Sequence, residues 1–513
     1  MGSRNIPIGG LKRNITANII GQGILMILSL ISTRLIFKGL GSDVLGVIYF
    51  SMTVTSFVIT LSDMGVSHTI TREIAANRHK DAGYVTALIG STSVLAWSAY
   101  LLFTLVVIIA APLLVNQWLQ ISKIEPSTIL SFQIISAALL LAIPRTLYSS
   151  MISGYERLDL WNLTNIITVG FQQLGLIAVL GWGGGLHHVA IWYAISGVAG
   201  LVIFAAIAVR LSGFRAWRMS YQWPVIKKNI RFGSHLFINS MVGYFLYQID
   251  RWTISRFLPV KMLGYYGVAQ SLASKCGMVP GAVASAAFPA LSTGVGNRER
   301  AEWIGQYNKL QDFCCYVIIP ASAAVAMVGI VVMALVFNYE IVKAAWLPLL
   351  FLSVGQLLLG LQYVPYMLSI AMKKPELSLR ANIRALAVVI PLAVLLTVNY
   401  GLAGAALTTG IASVIHMIFF IPRFSSECLN NRARQWYYKT GLFIVIGGIS
   451  YGLPWLVLWL VGMGLNLYGL VAAYILGTVL FFISGWFVIG LELKQAISEY
   501  LSKFKIQMIR KTV

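Results

Sequence analysis

Residues 84–112 read YVTALIGSTSVLAWSAYLLFTLVVIIAAP, 29 consecutive positions without a charged side chain. At about 1.5 Å of rise per residue, a helix of this stretch is longer than the roughly 30 Å hydrocarbon core of a bilayer. A helix on the surface of a soluble domain keeps one polar face for water, and this stretch has none. Its solvent is lipid.

Comparable runs recur from end to end, near 15–37, 44–63, 128–151, 162–182, 187–209, 233–257, 264–290, 313–337, 345–370, 381–399, 402–422, 439–461 and 467–490. The 513 residues are 58% hydrophobic and only 11% charged, against roughly 25% charged residues in a soluble domain. The runs are continuous and about twenty residues long, whereas barrel strands alternate over about ten. The fold class is therefore all-α: a polytopic membrane protein of about fourteen transmembrane helices.

The net charge of +22 raises nucleic acid as a partner, and the placement of the 38 Lys and Arg residues answers it. With the amino terminus cytoplasmic, 29 fall in inner segments and five in outer loops: Lys38, Lys123, Arg256, Lys261 and Lys343. That bias is the positive-inside rule, so both termini are expected in the cytoplasm. The basic charge reports topology, and no nucleic acid is expected. None of the four cysteines falls in an outer loop, so no structural disulfide is expected on the oxidising side.

A shift of 218 residues aligns Arg13 with Arg231, Leu45-Gly46 with Leu263-Gly264, Tyr148 with Tyr366 and Gly183 with Gly401. Six spans fit in that interval, so two six-helix lobes of like orientation are expected, related by an axis along the membrane normal. The organisation read from this is an N-lobe at 1–209, a cytoplasmic amphipathic linker at 210–232, a C-lobe at 233–422, and two extra C-terminal helices with a basic tail at 423–513. Outer loops are short, the longest lying between Leu113 and Ser127.

Four cations remain inside predicted spans: Arg34, Arg145, Arg251 and Lys275. Each costs roughly 2.5–3.5 kcal/mol at mid-bilayer on the insertion scale and so calls for a reason. Asp250 is the one acidic residue at comparable depth, which leaves the interior positive and points to an anionic substrate. The 218 shift places Arg34 and Arg251 one position apart on equivalent helices. Lys275 falls near the midplane and Arg145 closer to the cytoplasm. Structural readings stand beside this one: Arg34 is suited to snorkel, Arg251 to pair with Asp250, and Arg145 to anchor at the inner interface. Polar stripes at helical spacing, Asn14, Asn18 and Gln22 in the first span and His235, Asn239, Tyr247 and Asp250 in the seventh, indicate wet faces lining a cavity or hydrogen bonds between helices. No metal-ligand spacing, nucleotide loop or nucleophile motif is present, so neither catalysis nor a cofactor is expected.

The segments LGSDVLGVIYF (40–50), LSDMGVSHTITREIA (61–75), QIDRWTISRFLPVKMLGYYGVAQSL (248–272), AAFPALS (286–292) and NYGLAGAAL (399–407), in this order, resemble the polysaccharide transporter family of O-antigen-type lipid-linked oligosaccharide flippases. The resemblance covers most of residues 10–422. It implies two lobes around a central cavity that opens alternately to either side of a bacterial plasma membrane, and an undecaprenyl-diphosphate-linked glycan whose diphosphate meets cavity Arg and Lys. Arg34, Arg251 and Lys275 suit that role by their chemistry. Asp63 and Glu73 are placed to gate the inner side through Arg72, with Asp250 as a coupling group. The partners implied are the lipid-linked glycan, membrane lipids, a coupling ion (H+ or Na+) and glycan polymerase or assembly proteins.

A drug or cation antiporter of the same superfamily would need acidic groups in the cavity. A membrane glycan polymerase would be expected to carry a sizeable outer loop. A lipid II flippase is the nearest alternative, because its substrate shares the diphosphate.

Overall fold

The computed structural model describes residues 8–120, 126–213, 220–278, 281, 300–372, 374–429, 432–490 and 493–494. Among them every regular element is helical, and the β-type contact is an isolated bridge between Gln120 and Pro259. Eleven helices among the described residues are long and apolar enough to cross a membrane. One of these, Glu376–Cys428, is two helices meeting at Gly401, whose φ of 58° and ψ of −137° suit glycine alone. Helix Trp223–Phe257 and helix Val260–Ala273 lie at the two other predicted positions, 233–257 and 264–290, of which residues 279–280 and 282–290 are outside the described residues. The chain is an all-α polytopic membrane protein, with a helix count consistent with about fourteen.

The fold comprises two compact units, Met1–Gly264 and Tyr265–Val513. In the first, α1 is Ile8–Leu40, α2 Ser42–Asp63, α3 Val66–Asn77, α4 Ala82–Leu113, α5 Pro126–Leu140, α6 Ala142–Gly154, α7 Leu158–Gly181, α8 Leu186–Ser212 and α9 Trp223–Phe257. Helix α10, Val260–Ala273, begins at its end. Helix α4 starts where the Asp81 carboxylate accepts the Tyr84 amide at 2.8 Å, one of the amides a helix start leaves without a partner. On its outward face Leu101 and Ile109 are 64% and 70% exposed, a surface that only lipid can cover favourably.

Hydropathy reads residues 66–77 as an inner connection, yet they form the amphipathic helix α3. Met64 and Gly65 turn the chain out of α2 with φ of 43° and 73°. Helix α3 then buries Thr69, Ile70 and Ile74 and leaves Arg72 and His68 on its polar side. Gly154 on α6 admits it, since a Cβ there would stand 2.9 Å from the Cβ of Ile74.

Helices α2 and α10 cross with almost no side chain between them. A Cβ on Gly46 would lie 2.1 Å from the Val260 carbonyl oxygen, and one on Gly264 3.0 Å from the Ser42 carbonyl oxygen. The 218-residue shift carries Ser42 to Val260 and Gly46 to Gly264. The shift therefore maps this pair of close approaches onto itself.

In the second unit, α11 is Arg300–Val336, α12 Tyr339–Gly360, α13 Tyr363–Ala371, α14 the kinked Glu376–Cys428, α15 Ala433–Leu460 and α16 Leu467–Trp486. Its core holds Tyr307, Phe420, Phe424 and Trp436, with the Phe420 and Phe424 rings stacked at 5.5 Å. His416 is buried within a polar network: Nδ1 lies 2.7 Å from Gln362 Oε1, and Nε2 3.3 Å from Ser378 Oγ. The two terminal helices pack on α11, where Tyr316 donates to the Phe482 carbonyl and Lys439 pairs with Asp312 at 2.6 Å. The four cysteines are buried thiols.

Candidate functional site

The end of α9 is held by an aromatic clamp within the first unit. The Trp252 ring meets Phe57 at 5.9 Å and Trp118 at 6.0 Å, both edge-on, and Tyr244 donates to the Thr53 carbonyl of α2 at 2.9 Å. Trp118 donates to Ser255 at 3.0 Å, while the Arg256 guanidinium sits over the Trp118 ring and donates to the Gln117 carbonyl. This clamp fixes the rotation of α9 and so the positions of Asp250 and Arg251.

Asp250 is 1% exposed, and its Oδ1 accepts the backbone amide of Arg251 at 2.8 Å. No ion pair joins the two side chains among the described residues, so the pairing considered from sequence is not formed. Arg251 is half-buried. Gln248 Oε1 and Trp252 Nε1, one turn apart, are buried without a hydrogen-bond partner, as is Asn239 Oδ1. Sequence reasoning named Asn239 and passed over Gln248 and Trp252. The signal was the four-residue spacing Tyr244, Gln248, Trp252, a second polar face beside the one containing Asn239 and Tyr247.

Arg145 of α6 faces a cavity of about 60 Å³ formed with α5, α7 and α8. Thr168, Gln172, Tyr193 and Ser196 supply its polar lining, and among the described residues no carboxylate lines it. A Cβ on Gly200 would lie 3.6 Å from the Arg145 Nη1, so the glycine leaves that guanidinium its space. Arg34 is exposed on α1, two residues beyond Ser32, which donates to Gln173 of α7 at 2.5 Å. Gln22 is half-buried on α1 and Tyr247 half-buried on α9. Asn14, Asn18 and His235 lie on α1 and α9 with side chains outside the described residues.

Lys275 belongs to the second unit, half-buried in a 3₁₀ turn, Ser274–Gly277, that tightens the end of α10. Such a turn inside a spanning segment is a frequent mark of a hinge.

At the basic end of the first unit, Glu73 is a hub. It pairs with Arg72 at 2.6 Å and accepts from Tyr84 at 3.0 Å and from Asn77 at 3.2 Å. Asn229 of α9 donates to the Tyr84 hydroxyl at 2.9 Å and accepts from Arg72 at 3.4 Å, which ties α9 to α3 and α4. Asp63 stands apart from this hub, accepting the amide and hydroxyl of Ser67 and so capping α3. Tyr84→Phe removes two bonds of the hub and is expected to cost about 1–2 kcal/mol. Thermal unfolding in detergent checks this; an unchanged Tm would mean the hub does not hold α9.

In the second unit an apolar groove of about 260 Å³ runs between α11, α12 and α15, lined by residues such as Met327, Leu357, Gly448 and Trp455.

The sequence profile of the family described as "Polysaccharide biosynthesis protein" matches residues 11–295, more than half of the chain. The chain belongs to this family. A relative from Shigella flexneri, named as a candidate O-antigen transporter, is 22% identical over 433 residues, covering 81% of this chain and 98% of that one. A Haloferax volcanii relative, named as a candidate low-salt glycan biosynthesis flippase, is 23% identical over 296 residues, or 56% of this family member and 61% of the relative. Among solved structures, the lipid II flippase MurJ in an inward closed conformation superposes with a TM-score of 0.68 at 15% identity, covering 91% of this chain and 97% of MurJ. An inward-facing multidrug transporter of the MATE family gives 0.65 at 14% identity, covering 80% and 98%. At these identities the structures establish a shared fold. The family resemblance read from the sequence is borne out.

Proposed function

We propose that this chain is a flippase that moves an undecaprenyl-diphosphate-linked oligosaccharide from the inner to the outer leaflet of a bacterial plasma membrane by alternating access. The observation that carries the reading is the set of intramembrane cations. Among the described residues Arg34, Arg145, Arg251 and Lys275 take part in no ion pair, while the ion pairs present join other residues. Cations kept in spanning helices at roughly 2.5–3.5 kcal/mol each need an anion elsewhere, and a diphosphate brings two or three negative charges. The named activities of the Shigella and Haloferax relatives support the same substrate class.

In this proposal the lobes are 1–209 and 233–422, joined by the linker at 210–232, and both termini are cytoplasmic. The self-mirrored contact of Gly46 and Gly264 supports the two-lobe plan. The Glu73 hub closes the inner side, Asp250 couples an ion, and Asn14, Asn18, Gln22, His235, Asn239 and Tyr247 line the water-filled path. The test is complementation of bacteria lacking their own O-antigen flippase, alongside cells depleted of their lipid II flippase. Restored surface glycan in the first and no rescue of the second is the expected result; the reverse pattern would reassign the substrate to lipid II.

A further inference from the structure

A cavity of about 70 Å³ lies between the amino-terminal turns of α11 and α15, inside the second unit. Each helix turns a seam of three-to-four spacing towards it: Tyr307 and Gln311 from α11, and Arg432, Trp436 and Lys439 from α15 and its cap. Three of these side chains are more than nine-tenths buried, and each carries a polar atom without a hydrogen bond of ordinary geometry, the Trp436 N–H making only a loose approach to the Tyr307 hydroxyl. They are Tyr307 Oη (2% exposed), Gln311 Oε1 (6%) and Trp436 Nε1 (7%). An unpaired buried polar atom costs about 1–3 kcal/mol, and three around one small cavity point to a common occupant.

The chemistry of that occupant follows from the donors. The indole N–H of Trp436 can only donate, and Arg432, exposed at the mouth, adds a guanidinium. Lys439 is already neutralised by Asp312, whose Oδ2 also accepts the Gly490 amide at 2.9 Å. Among the described residues that line the cavity, the net charge left is that of Arg432. The start of α15, a 28-residue helix without a side-chain cap at Arg432, adds the positive end of its dipole. Gln311 has the opposite demand. Its Nε2 donates to the Leu361 carbonyl at 3.1 Å, which turns Oε1 to the cavity as an acceptor. An occupant of matching form is an anion that also carries a hydroxyl.

We propose that this cavity binds a phosphate, held by Tyr307, Trp436 and Arg432, whose ligand also donates a hydroxyl to Gln311: the P–OH of a soluble hydrogen phosphate or an alcohol hydroxyl of a headgroup. The group comes either from a phospholipid headgroup or from a soluble phosphate compound. A phosphate group fills a space of this size, and both sources meet the end of α11 and α15 that charge places at the inner leaflet. The site gives the two helices beyond the repeat a binding role of their own.

The test uses the purified full-length chain in detergent, titrated with sodium phosphate and separately with short-chain phosphatidylglycerol, with thermal unfolding as readout and sodium chloride as the ionic-strength control. Tm is expected to rise to saturation with at least one probe, and Arg432→Gln with Tyr307→Phe to weaken the apparent affinity about tenfold or more. Saturation by sodium phosphate assigns the soluble source; a response to phosphatidylglycerol alone assigns the headgroup. Trp436→Phe keeps a ring in the core while removing the N–H, and provides the same test if the double variant unfolds. No response of the native chain to either probe, or an equal response in the variants, would overturn the proposal and leave a cavity that holds water only.

Discussion

Replacing Arg34, Arg251 and Lys275 together by Gln is expected to reduce surface glycan to the level of cells without the transporter, at unchanged protein abundance in the membrane. Each cation offers a charge-assisted contact worth about 1.5–3 kcal/mol, so losing three weakens substrate binding on the order of a thousandfold or more. Gln keeps a polar, flexible side chain, though a shorter one, and it removes a desolvation cost, so the fold is not the expected casualty. Full export by the triple variant would sink the proposed role of charge. In the same assay Asp250→Asn separates coupling from binding. It keeps a carbonyl acceptor within reach of the Arg251 amide, and retained export would remove Asp250 as the coupling group.

Gly46→Ala is expected to be strongly damaging to the first unit. Its Cβ would stand 2.1 Å from the Val260 carbonyl oxygen, and backbone on both sides leaves no side chain to swing away. Overpacking of this kind costs typically about 1–3 kcal/mol and occasionally more. The two helices must part, so a lower Tm and lower yield from membranes are expected. Gly264→Ala, at 3.0 Å from the Ser42 carbonyl oxygen, should be milder, and Gly23→Ala, with nothing within 4 Å, neutral. Equal stability of Gly46→Ala and Gly23→Ala would show that the crossing relaxes without cost.

Much of the candidate site was legible because a charge in a hydrocarbon span is conspicuous at any resolution of argument. Arg34, Arg145, Arg251 and Lys275 stand out from composition alone. What they face was not legible. Asp250 immediately precedes Arg251 in sequence, yet its carboxylate accepts the Arg251 backbone amide and makes no ion pair with the Arg251 side chain, because helix geometry sends consecutive side chains about 100° apart. Arg145 faces a chamber inside the first unit, with Gly200 leaving room for it, a relation between residues 55 positions apart that no local pattern carries. Helix α3 escaped hydropathy because only one of its faces is apolar.

The sequence by itself determined that the chain crosses a membrane about fourteen times and is all-helical, because apolar length and backbone satisfaction in lipid admit little else. It also carried the family resemblance and the 218-residue echo. Only the tertiary structure decided which glycines those echoes press together, which cations lack carboxylate partners, and which buried atoms are left waiting near Tyr307 and Trp436. Hydrophobic runs are written along the chain, residue by residue. Contacts between helices depend on rotation and approach, quantities that packing fixes and one-dimensional spacing leaves open.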